Sequence, residues 1–186
     1  MDKFKIIATI VVVIVVLGIG IGFNGGFFHF NQNNDSTNTD LSWNVRDLNV
    51  QTNGNLEVAS KILDVISPEV LKNQSEEPSA ANVYKAPWKY YGKKLKISGE
   101  VTLVQEYPPG SAIASAFGGS EVGELVFVTD DNTIVDYVLL GSTGNIIVGN
   151  RVNTYGYCTG HIEVENKFGG KTTQLMVIGK VAEKLN

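Results

Sequence analysis

The sequence is poor in cysteine and in net positive charge, and each shortage excludes a class of protein. Its 186 residues contain one cysteine, Cys158, so no internal disulfide can form and the fold does not depend on a disulfide framework. The formal net charge of −4 argues against a generic nucleic-acid binder, which usually presents a basic surface. No catalytic His/Cys/Asp arrangement, metal-ligand spacing or paired-carboxylate motif stands out in the sequence. We therefore predict no metal, no cofactor and no enzyme activity.

Charge is absent from the stretch Ile6 to Phe23, which is almost entirely apolar. As a helix it would measure about 27 Å, close to the thickness of a hydrocarbon core. Lys3 and Lys5 precede it, and no Lys or Arg follows until Arg46, which places the N-terminus in the cytoplasm. We predict a single-pass anchor over residues 1–23 with the rest of the chain extracytoplasmic, and the lack of disulfides favours a Gram-positive cell surface. A cleaved signal peptide is the alternative, because Gly20-Ile21-Gly22 resembles a small-residue cleavage site.

Composition divides the remaining chain into three parts. Residues 24–45 are polar and Asn-rich, which predicts a flexible linker. Residues 46–74 form a helical lead-in, where apolar residues at three- and four-residue spacing predict a helix from Asn55 to Ile66, ended by Ser67-Pro68. Residues 75–186 form a mainly β domain that opens with a second short helix, from about Ser79 to Lys85.

The β domain is predicted from period-two alternation of apolar and polar residues after Lys93. Glycines inside long strands, as at Gly99, Gly156 and Gly179, indicate sharp bends, which a small closed barrel requires. We therefore predict a five-stranded OB-fold-like barrel preceded by one or two short helices, with a β-sandwich as the alternative. The predicted strands begin at Lys93 and then cover Glu124–Thr129, Thr133–Gly141, Arg151–Glu165 and Thr172–Glu183.

Two segments resemble a known family. The segment 82–101 reads N-x-Y-K-x-P-x-K-Y-Y-G-K-K-L-K-I-x-G-x-V, and 149–160 reads G-N-R-V-x-x-Y-G-x-x-x-G. Both resemble the tRNA_anti-like OB-fold domains, which occur in bacterial membrane-anchored proteins and lipoproteins; Asn150 stands where those domains more usually have Asp. The resemblance covers about residues 75–184 and implies the fold. It does not imply RNA binding, because fold alone does not define function.

Two groups of residues are candidate ligand contacts. The segment 85–96 interleaves lysines with aromatic residues, a pattern that suits single-stranded nucleic acid or an anionic polymer. On the fourth predicted strand, arginine and tyrosines share one face and could stack on a flat ligand. The alternative for both groups is structural, with aromatic residues packing on the barrel and solvated lysines. The candidates are Lys85, Trp88, Lys89, Tyr91, Lys94 and Lys96 in the first group and Arg151, Tyr155 and Tyr157 in the second.

These features predict a non-catalytic binding or assembly module, held at the membrane by the N-terminal helix. Its expected partner is an anionic polymer or another protein. A single-stranded nucleic-acid binder outside the membrane is the first alternative, and an envelope-modifying enzyme is the second. The sequence does not indicate the oligomeric state.

Overall fold

A five-stranded sheet that closes in a ring is the centre of the fold. The computed structural model describes residues 42–166 and 169–185. The strands agree with those predicted to within a few residues, and the longest pairing joins β4 to β5. Their bounds are β1 Leu95–Tyr107, β2 Val122–Val128, β3 Ile134–Leu139, β4 Arg151–Glu165 and β5 Lys171–Lys184.

The first strand makes closure possible because it pairs on both sides. Its beginning, Leu95 to Glu100, is antiparallel to β4, and its end, Glu100 to Tyr107, is antiparallel to β2. Strand β3 is antiparallel to β2 and parallel to β5, which gives the order β1-β2-β3-β5-β4. Every described strand is therefore paired along both edges over part of its length, which leaves little open edge for aggregation.

Short helices surround this ring. The two predicted helices are present, as α2 (Asn55–Val65) and α4 (Ala80–Lys85). Three more are α1 (Val50–Asn53), α3 (Pro68–Asn73) and α5 (Ala112–Ala116), and Pro87–Lys89 forms a 3-10 turn. Ser67-Pro68 does separate two helices, but it also begins α3, because the Ser67 side chain accepts a hydrogen bond from the Val70 N–H.

The glycines inside the strands allow close backbone approach, as the bending argument requires. A Cβ on Gly99 would lie 2.6 Å from the Val128 carbonyl oxygen. A Cβ on Gly156 would collide with the Ile178 carbonyl, and one on Gly179 with the Tyr155 carbonyl and the Tyr137 hydroxyl. Only glycine leaves room for β4 and β5 to cross at this distance.

The sheet is covered on both faces. Inside the ring, all five strands contribute to an inner core, for example through Leu95, Leu125, Val135, Val152 and Leu175. Helix α4 completes this core with buried apolar side chains. Outside the ring, helices α1, α2, α3 and α5 pack against the opposite face of the strands and form an outer core. Two separate apolar cores therefore stabilise one sheet.

The predicted anchor, residues 1–23, and most of the predicted linker lie outside the described residues. Among the residues that the structure describes, each helix is too short or too polar to cross a bilayer. The last linker residues are described, and there Trp43 packs against the outer core.

Gly179→Ala should destabilise the protein strongly, because the new methyl group would overlap backbone of β4. We expect a loss of at least about 2 kcal/mol in the free energy of unfolding, measured by urea denaturation. Gly170→Ala is the matched control, since the nearest atom to its Cβ would be the Asn166 side-chain nitrogen at 3.3 Å. Equal stability of the two variants would contradict the close-approach argument.

Candidate functional site

The predicted basic segment, Lys85 to Lys96, lies along α4, the 3-10 turn and the start of β1. Acidic residues outside the segment pair with part of it. Lys93 lies 3.5 Å from a carboxylate oxygen of Glu76, and Lys96 lies 3.0 Å from one of Glu77. The sequence pattern, which contains no acid between 85 and 96, therefore overstates the positive charge available to a ligand.

Three residues of this segment remain exposed and close in sequence, and we call them the basic corner: Lys85, Trp88 and Lys89. The Trp88 side chain is 42% exposed, a large value for tryptophan. Within residues 42–166 and 169–185, neither lysine of the corner forms an ion pair. Lys94, also a predicted contact, is half-buried.

The second predicted group is not exposed as expected. Tyr155 is 8% exposed and Tyr157 is 2% exposed, because the helices of the outer core cover this face of β4. The prediction of an outward tyrosine surface is therefore wrong. Arg151 does lie at the surface, but it donates two hydrogen bonds to the Asp130 carboxylate, at 2.9 and 3.0 Å. That pairing satisfies its charge within the protein.

Strict alternation along β4 also fails. The register with β5 shifts between Tyr155 and Gly156 and again between Cys158 and Gly160. Beyond the second shift, Ile162 packs in the outer core with Tyr157 rather than in the inner core with Cys158. A β-bulge explains this, since one extra residue reverses the faces that follow it.

Trp43 joins residues from both predicted groups. Its ring stacks on Tyr91, with centroids 5.8 Å apart, and lies 6.0 Å from the Tyr157 ring. Burial raises the pKa of Tyr91 to about 12. The predicted contacts Tyr91 and Tyr157 thus serve to attach the chain before α1 to the barrel, which the sequence pattern did not indicate.

Cys158 is a core residue, as predicted. It lies in the inner core, and burial raises the pKa of its thiol to about 12, so little thiolate forms at neutral pH. His161 does not act on it as a base, because its Nε2 lies 2.9 Å from the Tyr84 carbonyl oxygen and its ring packs on Tyr84.

Residues Asp130-Asp131-Asn132 form the tight turn that joins β2 to β3. Asp131 accepts hydrogen bonds from the Ala81 N–H at 2.8 Å and the Ser79 hydroxyl at 2.9 Å, and so fixes the start of α4 to the β2–β3 hairpin. Asn132 adopts a left-handed backbone with φ of 62°. The carboxylates of Asp130 and Asp131 therefore serve the fold, and no group of three His, Cys, Asp or Glu residues that could hold a metal ion occurs in the described part of the chain.

The most unusual chemistry lies at two buried acids that sequence reasoning missed. Glu124 on β2 is 6% exposed and Asp136 on β3 is 5% exposed. The ladder places Val126 opposite Asp136, so Glu124 is its diagonal neighbour on the same face. The two carboxyl groups are close enough to affect each other's pKa, and we call them the carboxyl pair.

A tyrosine at the end of β1 completes this site. The Tyr107 hydroxyl donates a hydrogen bond of 2.6 Å to Oε2 of Glu124. The Oδ1 atom of Asp136 is buried without a hydrogen-bond partner. On β5, Met176 pairs with Asp136, and Gln174 lies two residues before it. The buried Oε1 of Gln174 also has no hydrogen-bond partner among the described residues. The site is thus polar and buried, and two of its oxygens have no hydrogen-bond partner among the described residues.

Among residues 42–166 and 169–185, no cation forms an ion pair with either acid of the carboxyl pair. Burial raises the pKa of Glu124, and burial together with the neighbouring charge of Glu124 raises the pKa of Asp136 well above its usual value. Two adjacent carboxylates cannot both ionise at low cost in a dry site. We therefore expect the pair to hold a proton to higher pH than exposed acids do and to titrate as one unit.

The carboxyl pair does have a sequence signal, although a weak one. Glu124 and Asp136 are the only acids within the apolar runs 122–128 and 134–140. Acids in the middle of two neighbouring buried strands are unusual, since they are almost never fully buried unless paired. The register needed to bring them together is not visible in the sequence.

Comparison with known proteins adds no relative. The chain matches no protein-family model, and no curated protein matches its sequence.

The contribution of the carboxyl pair to stability should fall as pH rises from about 4, where Glu and Asp begin to ionise in the unfolded chain. Because the folded pKa values are raised, the folded state binds more protons above that pH, and stability declines until the folded pair also ionises. Glu124→Gln removes one of these protons and still accepts the Tyr107 hydrogen bond. We expect this variant to be more stable than wild type at pH 8, by on the order of 1 kcal/mol.

Thermal unfolding of wild type and Glu124→Gln at pH 4, 6 and 8 measures this effect. Glu163→Gln is the matched control, because Glu163 is exposed and pairs only with Lys171 on the surface. A wild-type midpoint that rises between pH 5 and 8 more steeply than that of Glu124→Gln would show that the pair is ionised in the folded state.

Proposed function

We propose that the protein is a non-catalytic binding module with an OB-fold barrel, tethered outside the membrane by its N-terminal segment and specific for an anionic polymer. The barrel assignment is supported by five strands in a ring and by a long first strand that pairs with two neighbours. The tether is supported by the uncharged stretch 6–23 and the lysines before it. The family resemblance of segments 82–101 and 149–160 is consistent with both.

The observation that carries the ligand proposal is the basic corner. Its exposed tryptophan lies between two lysines that have no carboxylate partner in the described part of the chain. Six other cations are paired with acids, and Arg46, Lys94, Lys180 and Lys184 have no ion pair within residues 42–166 and 169–185, so the exposed tryptophan between two free lysines is what distinguishes the corner. Free cations beside an exposed aromatic ring favour a flexible anionic chain over a folded protein surface.

The corner is held rigidly, which lowers the cost of binding. The 3-10 turn begins with the buried Pro87, and Tyr90 and Tyr91 beside it pack against the inner core. The Lys93 ammonium lies 5.4 Å from the centre of the Tyr90 ring. A preorganised corner loses less conformational freedom when a ligand binds.

Catalysis is not supported by the carboxyl pair in this conformation. Both acids are more than nine-tenths buried, and Glu124 accepts a hydrogen bond from Tyr107. A general acid or base must come within hydrogen-bond reach of its substrate. The described residues leave these groups no such access.

Binding should depend on the corner and not on lysine number alone. The full chain in nonionic detergent is titrated with fluorescent poly(glycerol phosphate) and with a single-stranded oligonucleotide at low and moderate salt. We expect Lys85→Ala/Lys89→Ala to weaken binding about tenfold and, with the oligonucleotide, to reduce the salt slope by about 1.4. Lys61→Ala/Lys171→Ala, which removes the same charge from exposed sites elsewhere, should bind as wild type.

The outcomes separate the candidate ligands. Preference for poly(glycerol phosphate) supports the proposal, whereas tighter oligonucleotide binding that is lost in Trp88→Ala supports the nucleic-acid alternative, since base stacking is worth about 1–3 kcal/mol. Absence of binding to either polymer at low salt, or an equal loss in the control double variant, would refute the assignment of the corner.

A further inference from the structure

The segment that joins β1 to β2 lies over the outer face of the sheet beside the carboxyl pair. We call residues 108–121 the cover segment; it contains helix α5. Ile113 and Ala114 of α5 are buried in the outer core together with Val122, Val138 and Met176. Val122 precedes Glu124 by two residues, Val138 is opposite Glu124, and Met176 is opposite Asp136. The segment and these neighbours of the carboxyl pair therefore belong to the same buried layer.

The cover segment has the geometry of a compact loop with its own internal bonds. The Gly110 N–H donates to the Gly119 carbonyl oxygen at 3.3 Å, so the two ends of the loop meet. Within it, the Gly119 N–H bonds to the Ala114 carbonyl at 2.7 Å, and Ser111 caps α5. Gly110 and Gly119 have φ of 81° and 84°, which the absence of a side chain permits. These bonds all lie within the segment, so they can open without breaking the β1–β2 ladder.

Tyr107 connects the carboxyl pair to the cover segment. It is the last residue of β1 and immediately precedes Pro108, where the cover segment begins. Its hydroxyl donates to Glu124, and burial and the Glu124 carboxyl raise the pKa of Tyr107, so that it remains a donor. Any change in the position of the Glu124 carboxyl thus acts on the residue that starts the segment.

The groups facing the carboxyl pair offer no compensating charge. From β1 the pair meets Tyr107, since Glu106 instead accepts hydrogen bonds from Ser142 and Thr143. From β5 it meets the neutral face of Gln174 and Met176, and α5 carries no ionisable side chain. On β4, His161 bonds to Tyr84 and Ile162 is apolar. Ionisation of both acids would therefore place two like charges together in an apolar layer.

We propose that the carboxyl pair is a proton-dependent latch: a proton shared by Glu124 and Asp136 keeps the cover segment closed, and its loss releases the segment and exposes the outer face of β2 and β3. This proposal does not depend on the ligand of the basic corner, which lies on other elements.

The direction of the effect follows from proton linkage. In the open state both carboxyls meet water and have ordinary pKa values, so the open state holds fewer protons than the closed state. Between the ordinary pKa values of the open state and the raised pKa values of the closed state, a rise in pH favours opening. If one proton is released on opening, the opening constant increases up to about tenfold for each pH unit.

Hydrogen–deuterium exchange of the full chain in nonionic detergent tests this proposal. Exchange is followed by mass spectrometry in peptides of 108–121 from pH 5 to 9 and corrected for the intrinsic exchange rate. In wild type we expect the protection of Ser115, Phe117 and Gly119 amides to fall as pH rises, whereas peptides of β5 stay protected. In Glu124→Gln the new amide can donate to Asp136 and accept from Tyr107, and the neighbouring charge is gone, so protection should depend less on pH than in wild type.

Matched variants keep the test decisive. Glu163→Gln removes an exposed acid and should behave as wild type, and Asp136→Asn should reproduce Glu124→Gln if that variant fails to fold. Tyr107→Phe should lower protection of the segment at every pH, while the pH dependence remains. Protection of 108–121 that is independent of pH in wild type, or that depends equally on pH in wild type and Glu124→Gln, would overturn the proposal.

Discussion

Closure of five strands into a ring is the constraint on which the rest of the structure depends. So small a ring requires bent strands and close backbone crossings, which glycine permits at Gly99, Gly156 and Gly179. Closure also separates the strand residues into an inner and an outer set. The inner set is buried by closure itself. The outer set is apolar as well, and therefore needs the helices and the β1–β2 segment to cover it.

The outer core explains both the aromatic residues and the acids. Tyr155, Tyr157 and Trp43 fill the space between β4 and the helices, so aromatic side chains that suggested a binding surface instead stabilise the domain. On β2 and β3, the same layer contains the carboxyl pair. An apolar pair would be more stable at neutral pH, because buried acids without a cation must bind a proton. That cost is the physical reason for assigning the pair a conformational role.

Much of the fold was predictable, because local patterns are strong where one face of an element is buried. The five strands, helices α2 and α4 and the turn at Asp131 follow from alternation, helical spacing and turn residues. The burial of Tyr155 and Tyr157 was not predictable, because helices distant in sequence cover this face of β4 and leave no local signal there. The neutralisation of Lys93 and Lys96 by Glu76 and Glu77 and the meeting of Glu124 with Asp136 likewise depend on register.

The basic corner lies at the surface of this domain, whereas the carboxyl pair is buried. The central claim is that the outer core holds a protonated carboxyl pair, and the ¹³C chemical shifts of the side-chain carboxyl carbons test it most directly. Wild type is titrated by NMR, and Glu124→Gln and Asp136→Asn serve to assign the signals. At least one of the two carboxyls should remain protonated at pH 7, and the two should titrate together. Independent titration of Glu124 and Asp136 near pH 4, as for exposed acids, would contradict the account.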